Sequence, residues 1–507
     1  RNKKERARNI ELEQLQAELE QVSTISEPTS MKELYNTLYE LGTIWREEHQ
    51  YIVNEGKKNE RVEIPRPNVS TVANMLKKHC HFTFIGYGQI SDISKLYFYH
   101  LDFGYYIASD DILRKLIIKF DSRLTTIKFY NEVIAYLRTE TYMREPMQEY
   151  YYIPVKNGVY NIKSQQLEPF DPKFIITSKI TKPFKPEAKK PILGEWFDFD
   201  KWFESLACND SEVVTLLWQI MNEAINPNRT RKKMVILTGD GNNGKGTFQA
   251  LLENLIGKEN ISNLKPNQFK EFYTNALDGK TCNIGDDISN KYLDEVSDLM
   301  SIVSGDRIQV NRKGKETFEA TYRLLCIFSG NDIPRARNKT NGWYRRLCIV
   351  PFNADFNGNK ERPEIKDKFI KNKTLLEWIL FKILTMKDFD KFIEPKIVTE
   401  MLNEYKRDND YILTYVTEFY IPNGWNEVNH VPMFIIRNSL KEFLDDMGAD
   451  KANISNFGKQ IIKILEKLTG NKYEAKNGTV KKEHYRTLDP LGFYSNRFVG
   501  AWGIGKK

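Results

Sequence analysis

The run GDGNNGKGT, Gly239 to Thr247, constrains this chain more than any other stretch. It follows the apolar segment MVILT and precedes FQALLENLIG, so it reads as a tight turn between a buried strand and a helix. Glycines there let main-chain N–H groups close around phosphate oxygens, the helix N-terminus adds positive potential, and the lysine of G-x-x-x-x-G-K reaches the β- and γ-phosphates. The pattern predicts a nucleotide cradle built from Gly239, Asp240, Gly241, Asn242, Asn243, Gly244, Lys245, Gly246 and Thr247. Gly246 stands where a Ser or Thr usually holds Mg²⁺. The hydroxyl is therefore lost, shifted to Thr247, or replaced by water.

Hydrolysis needs more than a cradle. About forty residues on, CNIGDD ends a second strand with Asp286 and Asp287, placed for a magnesium ligand and a base for the attacking water. Taken alone, the pair also suits an acidic turn. LLCIFSGND ends a third strand at Asn331, a polar group able to contact the γ-phosphate or orient water. In GWYRRLCIVPF, Arg345 and Arg346 precede a fourth strand; they are surface charges or an arginine supplied across a subunit interface. Short apolar strands alternating with helices imply an α/β fold with a parallel sheet covered on both faces.

Between the acidic pair and Asn331, two strand-like arms, Arg307–Val310 and Glu316–Tyr322, flank the basic tip Arg312-Lys313-Gly314-Lys315. Such a tip suits sequence-independent contact with phosphates, or a solvated hairpin. The net charge of the chain is +8. From Lys451 to Lys507 there are 12 Lys/Arg against 4 Asp/Glu, a surplus of 8 that equals the whole. The helical runs there are followed by KYEAKNGTVKKEHY, whose Asn477-Gly478 signals a tight hairpin. Helix, helix and basic hairpin is the order of a winged helix, with Lys459, Lys463, Lys481 and Lys482 as DNA contacts.

The rest bounds the class. A chain of 507 residues exceeds one ordinary core. Residues 1–25 read as a helical tail or linker, with Ile10, Leu12, Leu15 and Leu19 at helical spacing. Residues 26–190 form a mixed α+β domain, in which Asn157-Gly158 signals a hairpin and the lysine- and proline-rich TKPFKPEAKKP marks the far boundary. The cradle and its alternating strands and helices are expected over 191–405, and the winged-helix pattern over 406–507. Five scattered cysteines without a CxxC pair argue against zinc and against a secreted disulfide scaffold, and fit a reducing cytoplasm. His79-Cys80-His81 lacks a partner pair for a metal. No apolar run approaches the ~20 residues that span a bilayer, and Arg1 in place of an initiator Met is expected of a fragment or processed product.

The ordered set GDGNNGKGT, NIGDD, SGDRIQVNRKGKETFEATYRLLCIFSGNDIPR and GWYRRLCIVPF resembles the helicase half of the superfamily 3 primase-helicases found in poxviruses, satellite phages and staphylococcal pathogenicity islands. The upstream YYIPVKNGVYNIKSQQLEPFDPKFIITSKI resembles the domain that precedes their motor, so the likeness covers roughly residues 90 to 355. It implies an AAA+ motor in a hexameric ring, driven by ATP and Mg²⁺ and pulling single-stranded DNA through its channel with 3′ to 5′ polarity. It assigns Lys245 and Thr247 to Walker A, Asp286 and Asp287 to Walker B, Asn331 to sensor 1, and Arg345 or Arg346 to the arginine finger. The basic hairpin becomes the pore loop. Asp287 stands where many relatives carry Glu, one methylene longer. The region before residue 190 shows no compact carboxylate set for primer synthesis, so a primase or polymerase is an expected partner. An origin-binding initiator whose nucleotide governs assembly is the alternative; a packaging or remodelling ATPase leaves the basic hairpin and winged helix without a use.

Overall fold

The computed structural model describes residues 27–87, 94–289, 291–312, 315–446 and 456–507. The tail expected over residues 1–25 and the tip residues Lys313 and Gly314 lie outside them. Among the described residues no helix is long and apolar enough to cross a membrane.

Helix α1 (Met31–Glu48) is followed by a small hairpin, β1 (Tyr51–Val53) and β2 (Arg61–Glu63), and by α2 (Val69–His79). Strands β3 (Phe82–Ile85), β4 (Leu96–His100), β5 (Tyr105–Ile107) and β6 (Met143–Arg144) form a sheet in the order β5-β4-β3-β6, with α3 (Asp110–Phe120) and α4 (Ile127–Thr139) between β5 and β6. Each helix starts on a side-chain oxygen, of Ser30, Asn68, Ser109 or Thr126, that accepts a first-turn N–H; those N–H groups have no partner inside the helix. Leu38, Leu76, Phe84, Phe98, Leu116 and Val133 close the core between helices and sheet.

A three-stranded sheet follows, β7 (Tyr152–Val155), β8 (Gly158–Asn161) and β9 (Gln166–Glu168). The expected hairpin is present, but its turn is Lys156–Asn157, because Val155 pairs with Gly158. Gly158 is held in the ladder, where a Cβ would lie 2.4 Å from Glu168 O. Asn157 instead fastens the next segment, with Phe184 N–H donating to Oδ1 and Nδ2 donating to Phe184 O, both at 2.9 Å. Ile153, Val155, Tyr160 and Phe184 belong to one core with the large sheet downstream, so packing runs across residue 190.

That sheet is reached through α5 (Phe199–Leu206) and α6 (Ser211–Ala224). Its strands are β10 (Met234–Thr238), β11 (Ile261–Ser262), β12 (Cys282–Gly285), and, beyond the hairpin β13 (Arg307–Arg312) and β14 (Lys315–Thr321), β15 (Leu325–Gly330) and β16 (Leu347–Pro351). All pair in parallel, in the order β11-β12-β15-β10-β16. Helices α7 (Lys245–Ile256), α8 (Ser297–Ser304), α9 (Asn341–Tyr344), α10 (Pro363–Asp367), α11 (Lys373–Leu384) and α12 (Lys396–Asn409) connect and cover it. Side-chain alternation sends Val235, Leu237, Ile284, Ile327 and Val350 to one buried face. Met234, Ile236, Cys326, Phe328 and Ile349 go to the other. Two covered faces explain why these strands are mostly apolar rather than alternating; the buried polar exceptions include Asn283 and Ser329.

The last unit begins with α13 (Tyr411–Tyr415), which runs into one π-helical turn, Val416–Tyr420. Strand β17 (His430–Pro432), helices α14 (Met433–Asp446) and α15 (Phe457–Thr469), strand β18 (Tyr473–Gly478), the short α16 (Tyr485–Leu488) and strand β19 (Ala501–Lys506) follow. The antiparallel order is β17-β19-β18. Asn477-Gly478 is not the tight turn expected from sequence: both residues lie in β18, paired with Trp502 and Ala501. Neither has the positive φ that a two-residue turn of this type requires. Gly478 is there for space, since a Cβ would lie 2.7 Å from the buried His430 ring. The strands are joined by a long excursion over residues 479–500.

Candidate nucleotide site

Strand β10 ends at the point where the chain has neighbours on both sides, β15 and β16, reached by crossovers in opposite directions. Such switch points leave a crevice beyond the carboxyl ends of parallel strands. The GDGNNGKGT turn fills it. Gly239 has φ 146°, Asn242 54° and Gly244 89°. A Cβ on Gly239 would lie 2.4 Å from Phe352 O, and one on Gly244 the same distance from Leu206 Cδ2, so both positions demand glycine. Gly244 precedes α7 without a side-chain cap, leaving first-turn N–H groups directed out of the helix end. The segment after β16 closes over the loop: Phe356 N–H donates to Asn242 O at 3.0 Å, and Asn242 Nδ2 donates to Asn357 Oδ1 at 2.9 Å.

Lys245 is buried, at 9% exposure. Its ammonium folds back onto the turn, donating to Gly239 O and, at 3.1 Å, to Asn243 Oδ1. Both acceptors are neutral. Burial pulls its pKa below the ordinary lysine value, while the charges of Asp240 and Asp286 act in the opposite sense. A desolvated ammonium satisfied by neutral oxygens gains from a polyanion, so the residues present fit a nucleoside triphosphate. Among the described residues no group of three or more His, Cys, Asp or Glu forms a metal cage. A divalent ion here would depend on Asp286, the half-buried Thr247 and the phosphates themselves, the usual way that Mg²⁺ is held beside nucleotides. At Gly246 the nearest heavy atom to an added Cβ is Lys366 Nζ, at 3.7 Å. The place of the usual hydroxyl thus faces a second ammonium.

Strand ends bring the polar groups to the same rim. Asp286 follows β12, and its Oδ1 accepts from Ser329 Oγ at 2.5 Å and from Asp287 N–H at 2.8 Å. Asp287 is exposed, with φ 49°, and Lys265 Nζ donates to its carbonyl at 2.9 Å. Asn331 follows β15, exposed, its carbonyl accepting from Thr238 Oγ1 at 3.0 Å beside the cradle. The two arginines are elsewhere. They precede β16, and Arg346 O accepts from Met234 N–H at 2.7 Å, at the start of β10 rather than its end. Along a strand of this length that is on the order of 15 Å from the cradle.

Arg345 and Arg346 differ. The Arg346 guanidinium is half-buried and donates to Ser304 Oγ at 2.8 Å, Met300 O at 3.2 Å and Gly342 O at 2.5 Å. Burial and the neighbouring Arg345 charge hold its pKa below the ordinary arginine value. Arg345 is exposed, and its guanidinium makes no ion pair or hydrogen bond among the described residues.

The expected hairpin is present as β13 and β14, antiparallel, with a register irregularity between Val310 and Arg312. Arg312 and Lys315 end its arms, and Lys313 lies outside the described residues. Ile308, Val310 and Tyr322 anchor its base in the core, and Tyr322 Oη donates to Asp278 Oδ1 at 2.6 Å. In the C-terminal unit Lys459 and Lys463 are exposed on α15, opposite the buried Phe457, Ile461 and Leu465. Lys481 and Lys482 are exposed at the start of the 479–500 excursion. Sequence reasoning missed Lys467, which continues the Lys459 and Lys463 row at helical spacing. It also missed Gln249 and Ser329, whose signal is a polar residue where periodicity assigns a core position.

Residues 42–204 match the family described as "D5 N terminal like", and residues 237–346 match a "Family of unknown function (DUF5906)". The chain is similar to viral proteins described as putative helicases. It is 23% identical over 233 residues to "Putative helicase 121R" of Invertebrate iridescent virus 3, covering 38% of this chain and 24% of that protein. It is 22% identical over 334 residues to "Putative helicase 184R" of Invertebrate iridescent virus 6, covering 56% and 33%. With "Putative helicase L207/L206" of Acanthamoeba polyphaga mimivirus the identity is 22% over 247 residues, covering 42% and 25%. The chain thus spans a quarter to a third of the length of the curated relatives it matches. Among solved structures, an apo form of the NrS-1 C-terminal region superposes with a TM-score of 0.47 at 12% identity, over 82% of this chain and 97% of that one.

Proposed function

We propose that this chain is the ATP-driven motor part of a replicative DNA helicase of a virus or mobile genetic element, of the superfamily 3 AAA+ type. The observation that carries the reading is the strand order. The strand ending at Asn331 lies between the cradle strand and the strand ending at Asp286, so cradle, carboxylate and amide share one rim. Lys245 binds the β- and γ-phosphates. Asp286 and Thr247 hold Mg²⁺, which when bound offsets phosphate charge. Asp287 orients water and Asn331 reads the γ-phosphate. Arg345, exposed and far from its own subunit's cradle, suits the site of a neighbouring subunit; that implies a ring, a homo-hexamer by family likeness. The basic hairpin grips single-stranded DNA in the channel. The test is unwinding of forks with 5′ or 3′ tails by the parent and by Lys245→Ala. ATP-dependent unwinding from a 3′ tail, lost in the variant, is expected; unwinding that survives Lys245→Ala rejects the reading.

One observation favours a second reading, an initiator that recognises an origin. The C-terminal unit runs helix, strand, helix, helix, strand, excursion, strand, with sheet order β17-β19-β18, and α15 presents the exposed Lys459, Lys463 and Lys467; this order supports a winged-helix reading. Lys459→Glu with Lys463→Glu should weaken duplex binding while sparing ATP hydrolysis. If origin melting then persists in Lys245→Ala, the initiator alone stands. A primase or polymerase partner belongs to either reading.

A further inference from the structure

Behind the Asp286 carboxylate lie two buried polar side chains that no role above uses. Ser329, on β15, is 2% exposed, and Gln249, one turn after Lys245 along α7, is 3% exposed. Ser329 Oγ is 2.5 Å from Asp286 Oδ1 and 3.1 Å from Gln249 Oε1. Gln249 Nε2 is buried with no partner.

Proton counting decides the direction of this chain. A serine hydroxyl carries one proton and an ionised carboxylate carries none, so Ser329 cannot donate both ways. With its proton on Asp286, Ser329 Oγ needs a donor from Gln249, and that donor is the amide NH₂ that otherwise stays buried and unpaired. Turning the amide by half a rotation satisfies it and leaves only a carbonyl oxygen unpaired, the less costly orphan. The order becomes Gln249 Nε2–H to Ser329 Oγ, then Ser329 Oγ–H to Asp286 Oδ1. Asp287 N–H fills the other lone pair of Oδ1 at 2.8 Å. Oδ1 is thereby fully occupied, and Oδ2 is the oxygen left for a ligand.

We infer that Gln249 and Ser329 are positioning residues that fix the Asp286 carboxylate, so that one oxygen is committed to the protein and the other to the Mg²⁺ of bound nucleotide. The inference rests on the nucleotide-hydrolysing reading of this site. Because Lys245 and Gln249 share α7, the chain also ties the helix that holds phosphate to the strand that holds the carboxylate. Groups that orient a metal-binding carboxylate typically contribute 10–100-fold to metal affinity or activity.

The test is nucleotide binding followed by a fluorescent ADP analogue, as a function of Mg²⁺, in the parent, Ser329→Ala, Ser329→Thr, Gln249→Leu and the Ser329→Ala/Gln249→Leu double variant. Each variant's melting temperature is recorded as the check on folding. Ser329→Ala should raise half-saturating Mg²⁺ about tenfold while leaving affinity without Mg²⁺ unchanged, and Gln249→Leu should do the same to a smaller extent. Ser329→Thr, which keeps the hydroxyl, should recover most of the loss. The double variant should be no worse than Ser329→Ala, because a chain broken once is broken. An unchanged Mg²⁺ requirement in folded Ser329→Ala, or additive effects in the double variant, overturns the inference and leaves the nucleotide site standing. A parent protein that binds no nucleotide overturns both.

Discussion

Arg345→Ala and Arg346→Ala should part company, although the residues are neighbours. Arg346 donates three hydrogen bonds that join α9 to α8 just below the sheet. A net hydrogen bond contributes about 1 kcal/mol; Met300 O and Gly342 O regain water in the variant, so the loss should be about 2 kcal/mol. For a domain of this size that is a fall of roughly 4–8 °C in melting temperature. Arg345 is exposed and its guanidinium bonds to nothing among the described residues, so its loss should stay within about 0.5 kcal/mol. Its effect should appear in catalysis, where an arginine supplied across an interface is worth about 10³-fold or more in kcat. The decisive assay is mixing. Arg345→Ala subunits keep Lys245, and Lys245→Ala subunits keep Arg345. A mixed assembly therefore contains some interfaces with both, and ATPase should reappear when two inactive proteins are combined. Refutation takes three forms: Arg345→Ala hydrolyses ATP like the parent, the mixture stays inactive, or Arg346→Ala abolishes ATPase at an unchanged melting temperature.

Gly239→Ala should lose nucleotide affinity by at least tenfold in fluorescence anisotropy, since its Cβ would lie 2.4 Å from a main-chain carbonyl; Gly246→Ser, with 3.7 Å of room, should keep affinity within about twofold. Glu223→Ala leaves Arg231, at 2% side-chain exposure, without its 2.8 Å partner, which should cost about 3–5 kcal/mol and lower the urea midpoint. Burial holds the His430 pKa below the ordinary histidine value, against the hydrogen bond to Ala501 O and aided by Lys476. The unfolded chain therefore takes the proton first, and the stability that neutral His430 contributes is present above about pH 6.5 and lost as pH falls below it. Melting temperature should drop between pH 7.5 and 5.5, and His430→Gln should flatten that drop in part. His79 and His100, lowered by burial in the same direction, supply the remainder; an unchanged slope in His430→Gln refutes the assignment.

The parallel-sheet region was the legible part because local chemistry and global fold agree there. MVILT, CNIG, LCIFSG and LCIVP are mostly apolar runs, as strands covered on both faces require; the first three end on the residues that sequence reasoning singled out, and the fourth follows Arg345 and Arg346. The strand order was not legible, since nothing in a run of apolar residues states its neighbour. The two Asn-Gly pairs show the limit differently. Both signal a turn through tolerance of positive φ; Gly158 has one, at 156°, but sits in the ladder against Glu168 O, whereas Gly478 has none and is small because the His430 ring stands against it. Space and conformational freedom select the same residue, and only a structure separates the two. Gln249 and Ser329 carry a weak signal, a polar residue at a core position, but their pairing was not legible, as their partners come from strands and helices remote in sequence.

Under the proposed function, the strand order also bears on how a nucleotide at the cradle would be coupled to DNA at the basic hairpin. Strand β14 of the basic hairpin ends at Thr321, and β15 begins at Leu325, so the hairpin and the strand leading to Ser329 and Asn331 are consecutive pieces of chain. The short link between them is fixed, with Tyr322 bonded to Asp278 and Leu324 buried in the core. Six residues of β15 then span roughly 20 Å to the rim, without a flexible joint to absorb displacement. Packed interiors have low compressibility and transmit strain. A shift at Asn331 on loss of the γ-phosphate would therefore be felt at the hairpin base. Tyr322→Phe should loosen that link by removing the hydrogen bond to Asp278 while keeping the ring in place. The expected result is DNA-stimulated ATPase that falls toward the unstimulated rate, with nucleotide affinity unchanged. Stimulation by DNA that persists at the parent level would place the coupling elsewhere.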